Sequence, residues 1–183
     1  MTAALMRGAD LIGRPVVDAS VGEDLAEVKD VMFDPARGAL TGFTLRKRGF
    51  LGRKMKHVLP ISSVTAVGTA AVMVAGAEAI THPDDAPAEA VPERKADVLS
   101  DQVITESGQL LGTVRDVIVL GGPQPRVVAF QVAGGPVGDG LVPLGAESAV
   151  SSSALIVPDG FEHRIRTDLT GLAAELALIE GGR

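Results

Sequence analysis

Cysteine, tryptophan and tyrosine are missing from this chain of 183 residues, and its aromatics amount to five phenylalanines. Without cysteine there is no disulfide, no thiolate nucleophile and no zinc site built on sulfur. Without tryptophan or tyrosine, two of the usual platforms for stacking a nucleic-acid base are gone. Positive charge is also short. Lys and Arg number 17 against 23 Asp and Glu, a formal net charge of −6, which argues against whole-surface attraction to nucleic acid or anionic membrane. No run approaches the roughly 18 uninterrupted apolar residues of a membrane-spanning helix. The opening MTAALMRGADLIG is interrupted by Arg7 and Asp10 too early for a secretory signal. A soluble, cytoplasmic protein is the expectation.

What is present is apolar and rich in turn formers. Hydrophobic residues are 46% of the chain, enough for a packed core, and 22 Gly with 11 Pro predict many turns. The run AEVKDVMFD at Ala26–Asp34 has a counterpart in GTVRDVIVL at Gly112–Leu120. The match extends outward. Val16 and Val17 align with Val103 and Ile104, Gly22 with Gly108, Asp30 with Asp116, and Phe43 with Phe130. Pro60 aligns with Pro143, and Val67 and Val74 follow it at the spacings of Val150 and Val157. One set of spacings recurring twice marks an internal repeat.

Each repeat reads as short strands punctuated by turns. In the first these are Pro15–Asp18, Leu25–Asp34, Ala39–Lys47, Lys54–Pro60, Val64–Val67 and Ala71–Ala75. In the second they are Gln102–Thr105, Leu110–Leu120, Arg126–Ala133, Gly140–Pro143, Ala146–Val150 and Ala154–Val157. Thr81–Asp97 holds three Pro, several acids and almost no bulky apolar residue, a linker composition. Near the end, Leu169, Leu172, Leu176 and Ile179 recur at helical steps. The expected organisation is an all-β protein of two tandem small barrels with a short C-terminal α-helix. Its parts are repeat 1 at 1–80, linker at 81–97, repeat 2 at 98–160 and an amphipathic helix within 161–183. Two outcomes are open for that helix, docking on its own barrel or pairing with a second copy in a homodimer.

The stretches LIGRPVVD, VKDVMFDPARGALTGFTLR and LPISSVTAVGTAAVMV resemble the PRC-barrel family. The second copy, with VITESGQLLGTVRDVIV, RVVAFQV and VPLGAESAVSSSALIV, is similar at lower fidelity. The family includes the cytoplasmic part of the photosynthetic reaction-centre H subunit and the C-terminal domain of a ribosome maturation factor. The resemblance implies a small, strongly bent β barrel that contacts other proteins, with no cofactor and no enzyme activity. The sequence shows neither the membrane helix of the first relative nor the N-terminal domain of the second, so neither role is carried over.

The repeated acids Asp30 and Asp116 are the residues most suggestive of catalysis. Alternation places Asp30 on a face with Val28 and Met32, and Asp116 with Val114 and Ile118. A carboxylate there needs hydrogen-bond donors, so both are read as structural acceptors tying down a turn. Gly22, Gly108, Pro60 and Pro143 are read as structural too. The long strand carries apolar residues on both faces, which calls for a bulge or for cover on both sides. His57, His82 and His163 have no ligand spacing, and no metal site is expected.

The stretch RKRGFLGRKMKH, Arg46–His57, holds six of the seventeen basic residues, with Phe50 and Leu51 at the tip of an expected hairpin. The second repeat has the uncharged AGGPVGDG in its place, apart from one Asp. Loops are where a binding site is grafted onto a scaffold. The expected contact residues are Arg46, Lys47, Arg48, Phe50, Leu51, Arg53, Lys54 and Lys56. The plain alternative is a solvated hairpin whose charges discourage edge-to-edge aggregation. Function is thus read as a non-enzymatic scaffold or adaptor for protein partners. Two alternatives stand beside it: peripheral association with anionic membrane or RNA through the same hairpin, and a small-molecule sensor with a pocket between the barrels.

Overall fold

The computed structural model describes residues 4–34, 39–47, 57–87, 99–135, 138–144, 149–150 and 154–181. The first half runs β1 (Leu5–Arg7), a single helical turn α1 (Gly8–Leu11), β2 (Pro15–Asp18), β3 (Asp24–Asp34), β4 (Ala39–Arg46), β5 (His57–Pro60), β6 (Val64–Val67) and β7 (Val72–Val74). The second runs β8 (Gln102–Thr105), β9 (Leu110–Leu120), β10 (Arg126–Gly135), β11 (Gly138–Pro143), β12 (Ala149–Val150), β13 (Ala154–Val157) and α2 (Leu169–Gly181). Val, Ile, Leu and Phe dominate these strands, the types that suit a pleated, half-buried surface.

The strand order of the first sheet is β5-β4-β3-β2-β7-β6, and of the second β11-β10-β9-β8-β13-β12. Adding six to each strand of the first gives the second, so the duplication read from the residues is a duplication of topology. In both, the pair at which the order jumps along the chain, β2–β7 and β8–β13, is parallel. Val16 faces Val72 and Asp18 faces Val74, while Val103 faces Leu155 and Thr105 faces Val157. Each sheet curls into a half-barrel.

Curvature has a local cause. Val16 pairs with Ala26 but Val17 with Asp24, leaving Leu25 as an extra residue. Val103 pairs with Gly112 but Ile104 with Leu110, leaving Leu111 extra at the aligned position. A bulge of this kind bends the strand and raises its twist. β3 carries another, at Lys29, between the pairs Val28–Leu45 and Asp30–Thr44. This shifts the alternation expected for β3: Val28 is buried, but Asp30 lies exposed rather than on Val28's inward face. The long strand is therefore bulged.

Aligned side chains fill aligned cores. Val16, Val28, Phe43, Leu59, Val72 and Val74 are buried in the first, and Val103, Val114, Phe130, Val142, Leu155 and Val157 in the second. At roughly 1.5–3 kcal/mol for each fully buried Val, Leu or Phe, these positions dominate the folding of either repeat.

Both sheets share an edge device that composition does not reveal. Val58 on edge strand β5 and Thr81 exchange two backbone hydrogen bonds, each 3.0 Å. On edge strand β11, the Leu141 N–H donates to Arg166 O (2.6 Å) and the Arg166 N–H to Leu141 O (3.1 Å). Val58 and Leu141 are aligned positions, two residues before Pro60 and Pro143. Each repeat thus ends in a tail that returns to pair once with its own edge strand.

The chain divides into two compact units, the first comprising Met1–Asp34, Ala39–Lys95 and Val119–Arg126. In that unit Val67 and Gly122 exchange backbone bonds of 3.0 and 2.8 Å, and the Gly121 N–H donates to Ala4 O at 2.9 Å. A Cβ on Gly121 would stand 2.5 Å from Val67 O, so the close approach requires glycine. The Gly121-Gly122 pair that follows β9 serves this contact.

Candidate functional site

The basic hairpin is anchored at its base by described residues. Glu27 and Arg46 face each other across β3 and β4, and Arg46 Nε donates to Glu27 Oε2 at 2.9 Å. Arg46 remains half exposed and Lys47 is exposed. Arg48, Phe50, Leu51, Arg53, Lys54 and Lys56 lie outside the described residues. The arrangement fixes where the charged stretch leaves the sheet, at the end of β4, and where it returns, at His57.

His57 opens β5 opposite Leu45. Because Val58 pairs antiparallel with Thr81, His57 comes to lie against His82, their rings edge to face with centroids 6.2 Å apart. His82 Nδ1 accepts from the Asp84 N–H at 3.4 Å and lies 3.2 Å from Asp84 Oδ2. One ring nitrogen cannot serve both contacts at once. Unprotonated, it caps the turn at Pro83–Asp85; protonated, it donates to the carboxylate. Sequence spacing gave no hint of this pairing, because the edge bridge at Thr81 creates it. The Thr44 and Thr81 hydroxyls and His57 Nδ1 are buried there without a hydrogen-bond partner. Among the described residues no group of three or more His, Asp or Glu converges as a metal site.

The aligned turns after β2 and β8 are locked by carboxylates from different places. Asp18 Oδ1 accepts from the Ser20 hydroxyl (2.6 Å) and the Ser20 N–H (2.8 Å). These bonds hold its carboxyl below the ordinary aspartate range. Thr105 stands at the aligned position and bonds the Ser107 hydroxyl (2.9 Å) and the Gln109 N–H (3.0 Å). The carboxylate comes instead from Asp159, which accepts from the Ser107 N–H at 3.0 Å. The hydroxyl and N–H of Ser107 hold that carboxyl low as well. Gly22 (φ +73°) and Gly108 (φ +84°) complete these turns in the left-handed region.

Asp30 and Asp116 each accept a hydrogen bond from the next residue along the strand, Val31 N–H at 2.9 Å and Val117 N–H at 2.8 Å. Both act as acceptors from within their own strands. Asp30 lies in the register shift at Lys29, where the ladder is interrupted and the adjacent N–H takes a side-chain partner. Pro60 and Pro143 end the edge strands β5 and β11, positions where a missing N–H is tolerated.

The C-terminal helix packs on β11 of its own chain. Of the expected stripe, Leu172 is fully buried, while Leu169, Leu176 and Ile179 are half-buried. The residue missed is Glu175. Its side chain is only 8% exposed, and its two oxygens accept from Arg164 Nε at 3.0 Å and an Arg166 terminal nitrogen at 2.5 Å. The Arg164 guanidinium also lies over the Phe161 ring, 5.1 Å from its centroid.

These features define a duplicated half-barrel module whose copies keep one core and differ in their loops and tails. The chain belongs to the PRC-barrel domain family, whose model matches it twice, over residues 4–79 and 93–164. That family is generally non-catalytic. No curated protein matches the chain. No helix among the described residues is long and apolar enough to cross a membrane.

Proposed function

We infer that this chain is a non-enzymatic, cytoplasmic scaffold or adaptor, and that it meets a protein partner through the hairpin between β4 and β5. The observation that carries the reading is the contrast in charge between the β4–β5 loop and the aligned loop of the second repeat. Six of seventeen basic residues fall in Arg46–His57, in a chain of net charge −6, while the aligned loop of the second repeat carries none. Conserving the core while altering one loop is how a binding surface is added to a scaffold. Phe50 and Leu51 supply the apolar centre of the contact, and Arg46, Lys47, Arg48, Arg53, Lys54 and Lys56 its charged rim.

Affinity purification from the native cell, with wild type beside a Phe50→Ser, Leu51→Ser double variant, tests this. The reading expects loss of partner recovery in the variant, and unchanged recovery refutes it. The charge density of the same loop favours one other reading, peripheral contact with anionic membrane or RNA. Salt separates them. A contact led by charge collapses as ionic strength rises, whereas an apolar one changes little. Liposome sedimentation at low and high salt makes the comparison.

A further inference from the structure

Helix α2 lies on its own unit with a ligand's chemistry. Leu172 is fully buried and Glu175, three residues on, is nearly so. The surface beneath supplies the complement: β11 and the segment Phe161–Arg166, where Phe161, Ile165 and Leu141 are buried and Arg164 and Arg166 grip the carboxylate. Gly140 on β11 leaves room for Ile165, whose Cγ2 would stand 2.4 Å from a Cβ there. The remainder of the helix is loosely held. Leu169, Leu176 and Ile179 are half-buried and Leu178 is 73% exposed. A helix of 13 residues is marginal alone in water, so α2 depends on its packing against this surface, centred on Leu172 and the Glu175 clasp.

We propose that the surface under α2 is a docking site for a partner helix bearing an apolar residue followed three positions later by a carboxylate, and that α2 occupies it in cis as a competitor. Charge complementarity argues the occupant: two guanidiniums, each about a third exposed, converge on a single carboxylate. The short link Thr167–Asp168 keeps α2 at high effective concentration, so a partner gains access only where it matches this chemistry well. This site is independent of the basic hairpin, and its test does not involve that loop.

The test uses the full chain and a fluorescent peptide copying residues 167–181. Polarisation should show at least about tenfold tighter peptide binding to the Leu172→Ala, Glu175→Gln chain than to wild type. A peptide carrying Glu175→Gln should lose most of that affinity, as should the parent peptide in high salt. Hydrogen exchange should show α2 amides of the variant exchanging faster while β9 and β10 stay protected. If the variant fails to fold, wild type decides: excess unlabelled peptide should accelerate exchange of α2 alone. The proposal is overturned if no acceleration occurs, if the folded variant does not bind the peptide, or if the carboxylate-free peptide binds equally well.

Discussion

Ser100 is the one described non-glycine residue with positive φ, at +84°. Its aligned partner is Gly13, at +83°. They precede the corresponding strands β2 and β8 and make the same exchange. The Gly13 N–H donates to Val28 O and the Val28 N–H to Arg14 O, and Ser100, Val114 and Asp101 repeat this pattern. The backbone demand is therefore inherited with the fold, and the second repeat meets it with a residue that pays a Cβ penalty of roughly 1 kcal/mol. Ser100→Gly should raise stability by about 0.5–1 kcal/mol in urea titration, and Gly13→Ser should lower it comparably. An opposite sign for either would show that the Ser100 side chain makes a compensating contact. Gly42 sits opposite Pro60, and a Cβ there would stand 2.3 Å from Leu59 O, a backbone atom that cannot move alone. Gly42→Ala should cost about 2 kcal/mol or more by the same titration. The aligned position in the second repeat is already Ala129, opposite Pro143, so that approach is particular to the first repeat.

At the scale of elements, the tails that cap the two edge strands make a sharper case. Thr81 closes β5 through its backbone, while its hydroxyl is buried without a partner. Thr81→Pro removes the N–H that bonds Val58 O and should cost about 1–3 kcal/mol. Thr81→Val keeps that bond and deletes the orphan hydroxyl, so it should be neutral or stabilising by up to about 1 kcal/mol. Thermal melts should show a loss for Thr81→Pro and none for Thr81→Val; a loss from both would mean that the hydroxyl contributes to stability. Such a contact leaves no trace in hydrophobic patterning, because it is carried by main-chain groups of one residue. The strands were legible for the opposite reason. Pro15–Asp18, Val64–Val67, Gln102–Thr105, Leu110–Leu120 and Ala154–Val157 begin and end where alternation and turn residues place them. β1 and α1 escaped because three and four residues are too few to show a period. Glu175 escaped because a helical stripe of leucines directs attention to leucines. The signal was available in Arg164 and Arg166, two cations just upstream of a carboxylate one turn beyond the central leucine.

Across the whole molecule the duplicated plan has a consequence that neither repeat shows alone. Each unit locks the turn after its first sheet strand with an aspartate held below the ordinary range. Asp18 comes from the strand itself and Asp159 from a loop some fifty residues downstream of the turn it fixes. A carboxyl whose folded pKa is depressed contributes stability that is present above its unfolded value, near pH 4, and is lost as pH falls through the folded value. Both groups carry this sign and reside in different units, so their contributions should add. Urea midpoints followed downward from pH 6 should therefore fall below about pH 4. Asp18→Asn and Asp159→Asn should each flatten that acid limb while lowering stability at neutral pH, and the double variant should show the sum. If either single variant removed the whole limb, the locks would be coupled and the view of two repeats stabilised separately, by the same turn and different carboxylates, would have to be abandoned.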